Sequence, residues 1–124
     1  MTISLSAEWS RCSKYIEDAL EYAAGSHELD DVYALVENGD AQFWPFADAA
    51  IVTEIIRYPR KSALRFWLAG GNLETLVAAE PSIIAWAKGY NIQSVEIIGR
   101  RGWHRALNGY EPASTILTKE VDHE

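Results

Sequence analysis

Ala63-Leu-Arg-Phe-Trp-Leu-Ala-Gly-Gly71, then residues 72–90, then Ser94-Val-Glu-Ile-Ile-Gly99: these three stretches decide the fold. The first is apolar almost throughout and breaks on a Gly-Gly pair, as a central strand does when both faces are covered. Asn72 can cap the helix that follows, which carries Leu73, Leu76 and Val77, then Ile83, Ile84 and Trp86. Pro81 has no N–H to donate, so a kink or two abutting helices is expected there. Residues 94–98 read as the next strand. A strand, a helix and a strand make a β-α-β crossover. Arg100-Arg-Gly-Trp-His-Arg-Ala-Leu-Asn-Gly-Tyr110 follows, with a short helix over 101–107 stopped by Asn108-Gly109. Residues 113–119 read as a fifth strand, and 120–124 as a polar tail.

Upstream, Trp9, Cys12, Ile16, Ala19, Leu20 and Ala23 fall on one helical stripe. They predict a helix over 7–24 with Ser6 as N-cap and Gly25 as its stop. A second helix over 29–37 has Leu29, Val32, Leu35 and Val36 as its stripe, Asp30 and Asp31 in its first turn, and Gly39 after its end. Residues 41–46 and 49–58 alternate like strands, with Pro45 marking an edge or a bulge in the first. The turn around Pro59 joins 49–58 to 63–69 as a hairpin. The whole is an α/β (α+β) single domain over 1–119, a mixed sheet flanked by helices.

The chain has 124 residues and a net charge of −7. That charge disfavours binding to a nucleic-acid backbone. One cysteine, Cys12, excludes an internal disulfide and a multi-cysteine zinc site. No apolar run reaches the length of a membrane span and no signal peptide is legible, so the sequence reads as that of a cytoplasmic protein or part of a soluble assembly. Five Trp, six Tyr and three Phe exceed what so small a core must hide, and predict an exposed aromatic patch. The pair Asp30-Asp31 with His27 and Glu28 reads as helix-start chemistry rather than a metal site.

The order of helices, an antiparallel meander, then β-α-β-α-β resembles the GCN5-related N-acetyltransferase (GNAT) fold. The run from Ile97 to Pro112 resembles the closure of that fold, where a short helix leads into Gly-Phe or, here, Gly109-Tyr110. More narrowly, Gln42-Phe-Trp-Pro45, Phe66-Trp-Leu-Ala-Gly-Gly71 and Ile98-Gly-Arg-Arg-Gly-Trp103 resemble small GNAT-like proteins encoded by tailed phages and prophages. In active members of the superfamily a glycine-rich loop with a basic residue holds the CoA pyrophosphate on backbone N–H groups at a helix N-terminus. The matching positions here are Leu68, Ala69, Gly70, Gly71 and Asn72, with no basic residue and with Glu74 in the first helical turn. The resemblance thus implies acetyl-CoA or CoA as the cofactor of an active form. The family's tyrosine acid, counted back from Gly109, falls on Arg105.

Candidate catalytic groups are Glu54 and Glu96 on strands, as bases, and His104 beside the altered tyrosine position, as an acid. Each also has an ordinary reading, as a solvated strand carboxylate or a helix histidine. Trp44, Phe46, Trp103, Arg100 and Arg101 are candidate interaction residues, aromatic for an interface or basic for an anion. Three functions follow. The chain is a non-enzymatic interaction or assembly module, acting in a virion or in its morphogenesis with a phage structural or host protein as the phage resemblance implies, or an N-acetyltransferase acting on an amine, or a host-directed inhibitor.

Overall fold

The computed structural model describes residues 4–23, 25–99 and 103–121. Its elements are α1 (Leu5–Leu20), α2 (Leu29–Glu37), β1 (Gln42–Pro45), β2 (Ala49–Arg57), β3 (Ser62–Gly71), α3 (Leu73–Lys88), β4 (Ser94–Ile97) and α4 (Trp103–Ala106). The strands form one sheet in the order β1-β2-β3-β4. The first two pairings are antiparallel, and β3 pairs with β4 in parallel across α3. Helices cover both faces.

Two apolar clusters, one on each side of the sheet, hold these layers together. Trp9, Cys12 and Ile16 of α1 and Val32 of α2 meet Ala50, Val52 and Leu68. On the other face Leu76, Ala79, Ile83 and Ala87 of α3 meet Ile51, Leu64 and Phe66. Truncating a fully buried member such as Leu64 costs about 2–5 kcal/mol. Having two clusters also answers the aromatic excess. Trp9 is buried, and Trp44, Trp67, Trp86 and Trp103 are half-buried against one cluster or the other. The tryptophans therefore do not build the expected exposed aromatic patch; the exposed aromatic rings among the described residues are those of Tyr22, Tyr58 and Tyr90. A sheet covered on both faces has twice the interior to fill.

Several expected boundaries move. Helix α1 starts earlier, because Ser4 rather than Ser6 is the cap: its side chain accepts the Ala7 N–H at 3.2 Å. Helix α2 has the expected bounds, and the Glu28 N–H donates to Asp31 at 2.8 Å, so that carboxylate serves the helix start. Pro81 lies inside one helix, not at a join, its missing N–H costing the bond to the Val77 carbonyl. Strand β3 runs through both glycines to residue 71 instead of ending at 69. The largest difference is the fifth strand. Residues 111–121 carry no helix or strand, and all are exposed, Leu117 at 89%. A strand exists only where a neighbour takes up its N–H and C=O groups, and this segment has no such neighbour among the described residues.

One irregularity positions the candidate site. Val52 faces Leu68 but Thr53 faces Phe66, so β3 bulges by one residue at Trp67. A bulge bends its strand and sharpens the local twist. Pairing with β4 ends at the same place, on Phe66 and Ile97, with one further bond from the Ile98 N–H to the Phe66 carbonyl at 3.2 Å. Beyond it β3 and β4 part.

Candidate functional site

The parted strands open onto an apolar cavity of about 40 Å³, lined by Ile51, Phe66, Leu76, Ile97, Trp103 and Leu107, among others. Glu80 of α3 is the ionisable side chain in its wall. Beside that carboxylate lies the Tyr110 hydroxyl, which is buried and has no well-formed hydrogen bond. Burial first, and then the negative charge of Glu80, raise the phenol pKa, so Tyr110 stays protonated at physiological pH. Tyr110 packs back after the left-handed turn at Gly109, as the Gly-Tyr pair implies, but its approach to Glu80 leaves no mark in the sequence. The cavity has room for a water or two; small-molecule sites usually enclose about 300–1,000 Å³.

The end of β3, where a pyrophosphate would lie in an active relative of the resembled family, is filled by the chain itself. There is no loop. Strand β3 ends on Gly71 and α3 begins at Leu73, with Asn72 as the cap between them. The Asn72 side chain accepts the Thr75 N–H at 3.2 Å, and the Asn72 N–H donates to the Asp48 carbonyl at 2.9 Å. The Thr75 hydroxyl donates to the Asp48 carboxylate at 2.7 Å. Gly70 lies against the Tyr15 backbone of α1, so closely that a Cβ there would stand 2.2 Å from the Tyr15 carbonyl oxygen. Gly71, at φ +106°, lies equally close to Asp48 and Ala49. Both glycines serve packing between elements, and the helix start faces two carboxylates, Asp48 and Glu74. A CoA pyrophosphate does not fit this arrangement: its charge would meet theirs, and the Asn72 N–H is already taken by the Asp48 carbonyl.

The two strand carboxylates share a cation. Arg65 binds Glu96 at 2.7 Å and lies 4.0 Å from Glu54. Tyr58 donates to the Glu96 oxygens at 3.1 and 3.2 Å. Burial opposes the Arg65 charge, but Glu96 and Tyr58 outweigh it and raise the Arg65 pKa. The three charged residues stand in register across β2, β3 and β4. They alternate with Leu64 and Phe66 along β3, so they face the sheet surface opposite the cavity. Glu54 and Glu96 therefore form an ion cluster there, and neither lines the cavity.

The remaining candidates lie apart. The Trp44 indole donates to Thr53 at 3.0 Å, and Thr53 donates to Gln42 at 2.8 Å. Trp44 also meets Trp86 edge to face, and Trp86 meets Tyr90. The Phe46 carbonyl accepts from Arg11 at 2.9 Å, which ties α1 to the end of β1. Trp103 lies in the cavity wall. His104 lies on α4. Arg100 and Arg101 lie outside the described residues. Cys12 is buried in the α1 core, as its position on the apolar stripe implied. Among the described residues no group of three or more His, Cys, Asp or Glu could hold a metal ion. Nor is any helix there long and apolar enough to cross a membrane.

Solved structures now give this architecture a class. A GNAT family acetyltransferase from Staphylococcus aureus subsp. aureus USA300_TCH1516 is similar with a TM-score of 0.55 and 11% identity, over 96% of this chain and 95% of that one. A possible acetyltransferase from Clostridium difficile 630 gives 0.57 and 15%, over 98% and 95%. The wild-type Thermus thermophilus protein TTHA1254 gives 0.61 and 10%, over 95% and 93%. No family model and no curated protein matches the sequence. The chain thus has a GNAT-like fold, and identities this low extend to the fold alone.

Proposed function

We propose that this protein uses the GNAT-like fold as a protein-interaction module and does not take acyl-CoA as its substrate. The observation that carries the reading is the closed end of β3. Gly70 lies against α1, the Asp48–Ala49 backbone fills the side-chain side of Gly71, the Asn72 N–H is taken by the Asp48 carbonyl, and the carboxylates of Asp48 and Glu74 belong to the start of α3. A pyrophosphate site needs exposed N–H groups and a positive or neutral rim. The partner class implied by the sequence resemblance is a phage structural protein or a host protein. Calorimetric titration with acetyl-CoA and with CoA tests the reading. No heat at millimolar ligand is the expected result, and micromolar binding overturns it.

A second reading, N-acetyl transfer from acetyl-CoA to an amine, is favoured by one observation: β3 and β4 part at the Trp67 bulge over an apolar cavity. Glu80, with protonated Tyr110 beside it, is then the group available for proton transfer, in place of Glu54 and Glu96. If acetyl-CoA binds, acetylation of an amine panel by the parent and by Glu80→Gln decides this reading. A loss of turnover in the variant without a change in acetyl-CoA affinity supports it.

A further inference from the structure

The sheet has one blunted edge and one open edge. Strand β1 ends on Pro45, which cannot donate to a neighbouring strand. Strand β4 carries no proline, and among the described residues it pairs only with β3. Glu96, its one charged side chain, is held by Arg65 and does not project as a guard along the edge. An edge of this kind is a template for another strand.

The same chain also holds an unpaired strand-like segment. Ala113-Ser-Thr-Ile-Leu-Thr-Lys119 is rich in β-branched residues and contains no glycine or proline. All of 111–121 is exposed, and Ile116, Leu117 and Val121 hold 73%, 89% and 72% of their surface in solvent. Three apolar side chains so uncovered, in a row of unpaired backbone, are what a missing strand partner leaves behind. Tyr110, its hydroxyl buried beside Glu80, ties the start of this segment to α3, and Gly109 at φ +87° turns the chain there. From that anchor the segment runs outward and lies on no described element of its own body. Eleven extended residues reach roughly 36 Å, enough to cross to a neighbouring molecule.

We propose that residues 113–119 of one copy add to the outer edge of β4 of a second copy, and that the exchange is reciprocal. One chain supplies both the open edge and the unpaired strand, so two copies satisfy each other through a two-fold axis, and the assembly closes at two. The partner is a second copy of this chain, and the inference stands on the fold, independent of whether acyl-CoA binds.

Light scattering on the full chain over a wide dilution range tests it, together with two variants: a truncation after Pro112 and the double change Ile116→Asp, Leu117→Asp. The expected results are a dimer for the parent and monomers for both variants, with the parent's circular dichroism otherwise kept. The amides of residues 115–118 are protected from exchange in the dimer and lose that protection on dilution. A parent that is monomeric at every concentration overturns the proposal. So does a dimer that survives both changes, or amide protection of 115–118 in a monomer, which would place the segment on its own β4. If the truncated chain fails to fold, the double variant alone decides.

Discussion

Two glycine-marked junctions of this chain look alike in sequence and behave oppositely in space. Gly70–Gly71 ends a strand ahead of a helix, and Gly109 ends a helix ahead of an extended segment. At the first, the place a Cβ would take is filled by backbone at both glycines, from Tyr15 and from Asp48–Ala49. At the second, nothing lies within 4 Å of the place a Cβ would take, and only the φ of +87° asks for glycine. The lesson is that a glycine pair after a strand does not by itself mark a ligand loop. Close approach of two elements demands glycine as firmly as close approach of a phosphate does. One junction is thus a closed seam of the fold, and the other opens toward whatever completes the sheet.

The closed seam should give the largest effects. Gly71→Ala adds a methyl 2.4 Å from the Asp48 carbonyl oxygen, at a φ that alanine resists. Overpacking and backbone strain together cost about 3 kcal/mol or more, and thermal unfolding should shift down by about 10 °C or more. Gly70→Ala, which meets the Tyr15 backbone, should cost nearly as much. A loss below about 1 kcal/mol in both would mean that α1 stands off from β3, and the seam would again be available to a ligand.

Gly109→Ala should do much less. With no atom in the way, it meets only the left-handed backbone penalty, about 1 kcal/mol. Chemical denaturation of the two alanine variants side by side measures the contrast directly. Equal losses at residues 71 and 109 would break the comparison.

How far these roles could be read from sequence follows from what each depends on. The stripes of α1 and α2 were legible because the helical period states which face is buried. Asn72 was legible as a cap because a cap is local. The glycines of β3 were legible as a break after a strand, but their contacts were not, because Tyr15 and Asp48 are far away in sequence. The Trp67 bulge left no mark, since a bulge is a property of two strands in register. The strand expected at 113–119 failed for the same reason: its composition is local, but its partner is not. Glu54 and Glu96 were legible as strand carboxylates, but the cation between them, Arg65, is brought there only by the strand register.

Asp48 offers a smaller test of the seam. Asp48→Ala removes the acceptor of the Thr75 hydroxyl and one carboxylate at the start of α3. The group is exposed, so the loss should be about 0.5–1 kcal/mol. No CoA binding is expected in this variant, as in the parent, because Gly70 stays packed on α1 and the Asn72 N–H stays bonded to the residue-48 carbonyl. A variant that gained CoA binding on losing this one charge would show that electrostatics alone closes the site, and the packing argument would fall.

Tyr110 gives the smallest effect, and it appears only in alkali. The folded protein holds the phenol proton above the ordinary tyrosine pKa of 10.0, through burial and the charge of Glu80. Above that pH the unfolded chain ionises this phenol while the folded chain does not, so the unfolded state binds fewer protons and is favoured. The contribution is fully present below about pH 10 and is lost as the pH rises toward the folded value. Because the residue is only half-buried, the loss should stay below about 1 kcal/mol near pH 11. Tyr110→Phe keeps the ring in place and removes the titration. Its urea midpoint should match the parent's near neutrality and exceed it slightly in alkali. If the two fall together with rising pH, Tyr110 is free of α3, and the anchor that aims residues 111–121 outward is not there.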